Sequence, residues 1–229
     1  GSQIFGEEGY MIAMDRIFSK LLEWKIQHGF TPRVLNIGGG FGIRYSMRDH
    51  LKPYEGFITL VVEKFIKRCH EIDIPVPQLW IEPGRSVVGE AGTTLYTIGA
   101  RKEIPGIRTY VSVNGGMTDN IRPALYQAVY EAVLSNRMLD ETEEEVTIAG
   151  RCCESADVLV ENIKLAQAKP GDTLAIFCTG AYGYSMASNY NKVPRPAVVF
   201  VENFKDQLVV RRETYDDLIQ YDFPLEVEE

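Results

Sequence analysis

An α/β segment followed by a mostly antiparallel β domain is the fold class this sequence predicts. Three observations carry it. Apolar residues recur at helical spacing in two segments between Tyr10 and Cys69, and each is followed by a short apolar run, the first stopping at Gly38 and the second at Glu82. Beyond about residue 93 the pattern changes to a succession of strand-like runs. A domain boundary is therefore placed near residue 92, dividing the chain into 1–92 and 93–229.

The elements follow in order. Gly1-Ser2-Gln3-Ile4-Phe5 reads as the tail of a strand with no start methionine, so the chain is expected to begin inside a longer polypeptide. Tyr10, Met14, Ile17, Phe18, Leu21 and Leu22 mark a helix over about 8–28, with acidic Glu7 and Glu8 at its start and Gly29 as its stop. Val34-Leu35-Asn36-Ile37 is a short buried strand that runs into glycines. Tyr54, Phe57, Ile58, Val61, Val62, Phe65, Ile66 and Cys69 form the second helical stripe behind Pro53, and Leu79-Trp80-Ile81 is the next strand. This alternation is the rhythm of a parallel sheet or a (β/α) barrel.

In the second segment the runs Thr94 to Ala100, Thr109 to Val113, Val146 to Ala149, Val158 to Ile163, Thr173 to Cys178, Ala197 to Val201 and Leu208 to Arg211 predict strands. Only Ile121 to Leu134 and Tyr215 to Tyr221 predict helices there.

Composition narrows the function. With 229 residues and 45% hydrophobic content the chain can bury a substantial core, and a net charge of −8 with scattered basic residues argues against nucleic acid as a partner. No apolar stretch approaches the ~20 residues that cross a bilayer, and no signal-peptide pattern opens the chain, so no membrane partner and a cytoplasmic location are expected. Cys69, Cys152, Cys153 and Cys178 have neither CxxC spacing nor paired histidines nearby, so reduced thiols and no metal are expected.

Several motifs carry chemistry. Gly38-Gly39-Gly40 ends a strand, where unobstructed backbone amides can approach a phosphate; an ordinary turn is the bland alternative. A dinucleotide fingerprint fits poorly, because Ile43 or Tyr45 falls where its third glycine belongs. Glu82-Pro83-Gly84-Arg85 again follows a strand, offering a carboxylate for a heterocyclic nitrogen and a guanidinium for an anion, or merely a structural ion pair. Arg122 and Tyr126, four residues apart, share a face if helical and suit an anionic group. Cys152-Cys153-Glu154-Ser155 places a thiol and a carboxylate on a loop, and Gly180-Ala181-Tyr182-Gly183-Tyr184-Ser185 turns sharply after a strand.

Taken together, Asn36 to Gly42, Glu82 to Ser86, Gly116 to Tyr126, Cys153 to Asp157 and Gly180 to Ser185 resemble, in order and over nearly the whole chain, the diaminopimelate decarboxylases. The related ornithine-type decarboxylases share the glycine triplet and Glu-Pro-Gly-Arg but carry aspartate after the equivalent cysteine, so Glu154 favours the diaminopimelate branch. The resemblance implies the C-terminal portion of a (β/α)8 barrel that binds pyridoxal 5'-phosphate, followed by the β domain, in a homodimer with shared active sites.

It further implies roles. Ser2 and Gly38, Gly39 and Gly40 would hold the phosphate, with Gly84 and Arg85 beside the cofactor, and Glu82 would pair with the ring nitrogen. Arg85, Arg122 and Tyr126 would grip substrate carboxylate. Glu154 would receive the distal ammonium of meso-2,6-diaminopimelate, Cys153 would act as the catalytic acid, and Tyr182 would touch the phosphate or the substrate. The product would be L-lysine. Asn114 stands where the family commonly has aspartate.

By the same resemblance the Schiff-base lysine and a ring-stacking histidine belong upstream of Gly1. The chain by itself is therefore expected to be an inactive fragment. The alternatives are a non-catalytic paralogue that dimerises with and modulates an active relative, or a decarboxylase of another basic amino acid.

Overall fold

The computed structural model describes residues 1–225, and these divide along the chain into two compact units, one of residues 1–91 and one that begins at Gly92. In the first unit, α1 (Glu8–His28) ends at Gly29, whose left-handed φ of 65° lets its N–H close on the Lys25 carbonyl at 2.9 Å. The strand β1 (Val34–Asn36), the helix α2 (Tyr54–Glu71), the strand β2 (Gln78–Trp80) and the short helix α3 (Arg85–Val88) follow. β1 and β2 pair in parallel, Leu35 opposite Leu79.

The helical stripes read from the sequence become one core. Tyr10, Met14, Phe18 and Leu21 of α1 pack with Phe57, Val61, Phe65 and Cys69 of α2 around Leu35 and Phe41. Each such side chain contributes about 1.5–3 kcal/mol by leaving water. Stacked rings of Tyr10 and Phe41, 5.3 Å apart, fasten α1 to the segment just beyond the glycine triplet. The first residues do not make the expected strand tail. Gln3 has a left-handed φ of 57°, and only Ile4 bridges in parallel to Phe41, through bonds of 2.9 Å to Gly40 and Gly42.

The second unit is built on a six-stranded sheet of order β5-β8-β3-β4-β6-β7. Its members are β3 (Thr93–Ile104), β4 (Arg108–Val113), β5 (Ala132–Leu134), β6 (Glu144–Ala149), β7 (Val158–Leu165) and β8 (Thr173–Phe177). β3 serves both halves: Thr93–Thr97 pairs with β8 and Ile98–Ile104 with β4, across a register shift between Ile98 and Arg101. All pairings are antiparallel except β4 with β6, and the edge strands β5 and β7 approach each other, so the sheet curls into a nearly closed, barrel-like form. Tyr96, Ile98, Val111, Ile148, Leu159, Leu174 and Ile176 fill its interior.

A hairpin of β9 (Val198–Glu202) and β10 (Lys205–Val210) and the helix α5 (Tyr215–Ile219) complete the unit. A reciprocal box between Thr214 and Asp217 caps α5.

The helix expected over 121–134 is corrected to a single turn, α4 (Arg122–Tyr126), followed by strand β5. Gln127 takes a left-handed φ of 53° and stops the helix. Tyr130, Ala132 and Leu134 are then buried in alternation, the period of a strand and not of a helix. No helix among the described residues is long and apolar enough to cross a membrane, and no cluster of metal-ligating side chains occurs among them.

Candidate functional site

In the first unit the chemistry gathers where β1 and β2 end. The Gly39 backbone passes so close to Glu82 that a Cβ there would stand 1.9 Å from the Glu82 carbonyl oxygen. Gly40, at φ +90°, would bring a Cβ within 2.4 Å of the Gly1 carbonyl oxygen. The three glycine carbonyls are all engaged: Gly38 accepts from Glu82 N–H at 2.8 Å, Gly39 from the Tyr10 hydroxyl at 2.8 Å, and Gly40 from Ile4 N–H at 2.9 Å. The Gly38 amide turns back onto Asn36 Oδ1 at 2.8 Å, whereas the Gly39 and Gly40 amides find no acceptor among the described residues. Two adjacent unclaimed N–H groups on a loop without side chains fit an anionic group such as a phosphate.

Glu82 stands beside this loop, exposed, with one carboxylate oxygen accepting from Asn36 Nδ2 at 2.6 Å. Arg85, on the first turn of α3, donates to the Tyr45 hydroxyl and to Ser2 Oγ, each at 2.8 Å, and lies over the Tyr45 ring. Ser2, Gly38, Gly39, Gly40, Glu82 and Arg85 therefore share one end of this unit. Gly84 caps α3 in the open, with nothing near the position a Cβ would take.

In the second unit Asp157 is the organising residue. Almost wholly buried, it accepts from Met117 N–H at 2.6 Å through one oxygen and from Cys152 N–H at 2.7 Å through the other. Its main chain closes the same loop, its carbonyl accepting from Gly150 at 2.8 Å and its N–H donating to the Glu154 carbonyl at 3.2 Å. The approach depends on two glycines: a Cβ on Gly116 or Gly150 would lie 2.5 or 2.2 Å from the carboxylate. The Cys152–Ser155 turn is thus fastened to the 115–119 turn from beneath, and Cys153 and Glu154 are left on the outside, both exposed.

The two adjacent thiols differ. Burial, and then the neighbouring Asp157 carboxylate, push the half-buried Cys152 up to about 11. Asp119, which accepts from Gly116 N–H at 2.8 Å, is itself raised, chiefly by burial. Glu154 Oε1 accepts a hydrogen bond from the Tyr190 hydroxyl.

Arg122 and Tyr126 both lie on α4, yet they diverge. Arg122 is buried and donates to the Tyr130 hydroxyl at 2.5 Å, while Tyr126 is exposed. Tyr182 is exposed on the turn after β8, at a left-handed φ of 60°. Asn114 Oδ1 accepts from Thr97 N–H at 2.9 Å, so a carboxamide oxygen supplies the acceptor that this bend requires.

Sequence reasoning gave no role to Asn36, Tyr45, Asp157 or Tyr190. Asn36 and Asp157 sit inside the recognised motifs, but the hydrogen bonds of Asp157 go to backbone amides, which leave no trace in side-chain identity. Tyr190, between two asparagines, carried only a turn-like composition.

A family model described as the C-terminal sheet domain of pyridoxal-dependent decarboxylases matches residues 13–180. The diaminopimelate decarboxylase of Bacillus subtilis (strain 168) is 54% identical over 224 residues, covering 98% of this chain and 51% of that protein. That of Synechocystis sp. is 45% identical over 225 residues, covering 97% and 47%. Among solved structures, the diaminopimelate decarboxylase of M. jannaschii in co-complex with L-lysine superimposes with a TM-score of 0.91 at 34% identity, over 98% of this chain and 50% of that one. The H. pylori enzyme complexed with L-lysine gives a TM-score of 0.82 at 28% identity over 96% and 52%. The chain spans about half the length of the curated relatives it matches.

Proposed function

The chain belongs to the pyridoxal-dependent decarboxylases, and from that membership we propose that the polypeptide carrying it converts meso-2,6-diaminopimelate to L-lysine and carbon dioxide. The observation that carries the substrate assignment is the exposed Cys153–Glu154 pair, a thiol and a carboxylate held side by side on a fastened turn. The naming of the relatives as diaminopimelate decarboxylases supports the same reading.

In this reading Gly1–Ala91 is the last part of a (β/α)8 barrel. The Gly39 and Gly40 amides, with Gly38 and Ser2, would receive the phosphate of pyridoxal 5'-phosphate, and Glu82 would face the ring nitrogen with Gly84 and Arg85 alongside. The cofactor, when bound, supplies an electron sink for the bond pair released as carbon dioxide leaves. Asn36 holds the Glu82 carboxylate so that a free oxygen remains for a cationic N–H partner.

Arg85, Arg122, Tyr126 and Tyr182 would bind substrate carboxylate and cofactor phosphate; for Arg122 this requires the Tyr130 contact to be shared or exchanged. Glu154 takes the distal ammonium, a charge match for an amino acid with a second amino group. Of the two thiols, Cys153 delivers the proton to the α-carbon, because Cys152 is half-buried and holds its proton too tightly to exchange it near neutral pH. The site is completed in a cytoplasmic homodimer, Cys153 and Glu154 of one copy serving the cofactor of the other.

The test is expression of the full-length polypeptide with added pyridoxal 5'-phosphate and measurement of L-lysine formed from meso-diaminopimelate. Product formation, and its loss by two orders of magnitude or more in Cys153→Ala, is expected. A folded, cofactor-loaded protein that forms no lysine would refute the proposal.

A further inference from the structure

Tyr190 lies outside every motif that led to the proposed function, yet its hydroxyl donates to Glu154 Oε1. Its position is fixed from behind. Asn189 Nδ2 donates to the Val193 carbonyl at 3.1 Å and to Glu213 Oε2 at 2.6 Å, and Arg195 Nε and Nη2 converge on Glu213 Oε1 at 2.7 and 2.5 Å. Asn191 and Lys192 both adopt left-handed backbone, at φ 54° and 55°, which turns the chain sharply just after the tyrosine. The phenol ring therefore stands on a braced turn, whereas Glu154 is an exposed side chain with several rotatable bonds.

That contrast gives the contact a direction. The main chain of Glu154 is tied through its carbonyl to Asp157 N–H, and its side chain is tied through Oε1 to Tyr190. Oε2 makes no hydrogen bond among the described residues. A partly exposed phenol donating to an exposed carboxylate adds little to folding, since both groups would be hydrated in its absence. Its effect is on where the carboxylate points. The hydrogen bond to Glu154, and then burial, raise the Tyr190 phenol above its ordinary value, so it stays protonated as the donor.

Resting on the proposed substrate reading, we infer that Tyr190 is a positioning residue for substrate selection: it holds Glu154 by one oxygen and leaves the other aimed at the distal ammonium of the substrate. A carboxylate already held in one orientation loses less freedom when it binds the ammonium, so the benefit falls on substrate and transition state alike.

The experiment is made on the full-length, cofactor-loaded enzyme with wild type, Tyr190→Phe, Glu154→Ala and the double variant. For Tyr190→Phe the KM for meso-diaminopimelate is expected to rise about tenfold with kcat within about twofold, the pattern of lost uniform binding. The Kd for L-lysine, measured by calorimetry, is expected to rise in parallel, while the melting temperature stays within about 4 °C. In the Glu154→Ala background, which has no side-chain acceptor for the phenol, the same substitution should change KM by less than about twofold, because a residue acting through Glu154 has nothing left to act on.

An active wild type whose KM and lysine affinity are unmoved by Tyr190→Phe, or effects of the two substitutions that simply add, would overturn this inference alone. A wild type inert toward meso-diaminopimelate overturns the functional reading and this inference together.

Discussion

Replacing Asp157 by alanine tests whether one buried carboxylate holds the Cys153–Glu154 turn in place. The substitution removes the acceptor of two main-chain N–H groups, those of Met117 and Cys152, bound at 2.6 and 2.7 Å. An N–H left without a partner away from water costs about 1–3 kcal/mol, so two would cost about 2–6 kcal/mol. Both amides are only partly buried, and water admitted to the vacated space would satisfy them in part, which favours the lower half of that range. A local destabilisation of ~3 kcal/mol corresponds to roughly a hundredfold faster exchange of amide hydrogens that open with the turn. Hydrogen exchange with mass spectrometry on peptides covering 115–120 and 150–158 reads this directly, and alkylation of Cys152, slow in the wild type, should accelerate with it. Asp206→Ala, an exposed position on β10, serves as the control. If Asp157→Ala changed exchange in these two peptides by less than about threefold, the carboxylate would not be the fastening that its geometry suggests.

Two further substitutions probe the supports on either side. Gly39→Ala would put a methyl group 1.9 Å from the Glu82 carbonyl oxygen and is expected to destabilise the first unit by about 1–3 kcal/mol, whereas Gly38→Ala, facing open space at φ +79°, should do less harm; urea titrations followed by the fluorescence of Trp24 and Trp80 would contradict this if the order were reversed. Glu213 is held down to about 2, first by the hydrogen bond from Arg195, against an ordinary 4.5. Its folded pKa lies below the unfolded one, so the stability it contributes is fully present above pH ~4.5 and is lost as pH falls through ~2. The stability gap between wild type and Glu213→Gln, about 1 kcal/mol for a partly solvated pair, should hold from pH 7 to about 5 and close towards pH 2. A gap that widened on acidification would show the sign to be wrong.

What was legible in the sequence follows from how each feature is encoded. α1 and α2 were legible because burial of Tyr10, Met14, Phe18 and Leu21, and of Phe57, Val61, Phe65 and Cys69, imposes a helical period on residue type. The two loops of the first unit were legible because a strand that ends in glycine or Glu-Pro-Gly marks its own exit. The 121–134 segment was not. Arg122 to Tyr126 does begin a helix, but the decision to stop is made by the left-handed conformation of Gln127, a residue type with no preference for it. β5 is then fixed by pairing with β8, a partner some forty positions downstream that no local window contains.

The same division separates the groups proposed to touch ligands from the residues that hold them. Cys153, Glu154 and Glu82 are recognisable because their chemistry is in their side chains. Asn36, Asp157 and Tyr190 act on those three through hydrogen bonds that span 46 positions for Asn36 with Glu82 and 36 for Tyr190 with Glu154. For Asp157 the partners are backbone amides, which any residue but proline could supply. Arg122 shows the converse. Its spacing from Tyr126 suggested a shared anion-binding face, but the tertiary structure gives its guanidinium a phenol to bind and buries it. A motif thus identifies which groups are available, while their direction is set by partners remote in sequence, and it is at those partners that substitutions should separate binding from turnover.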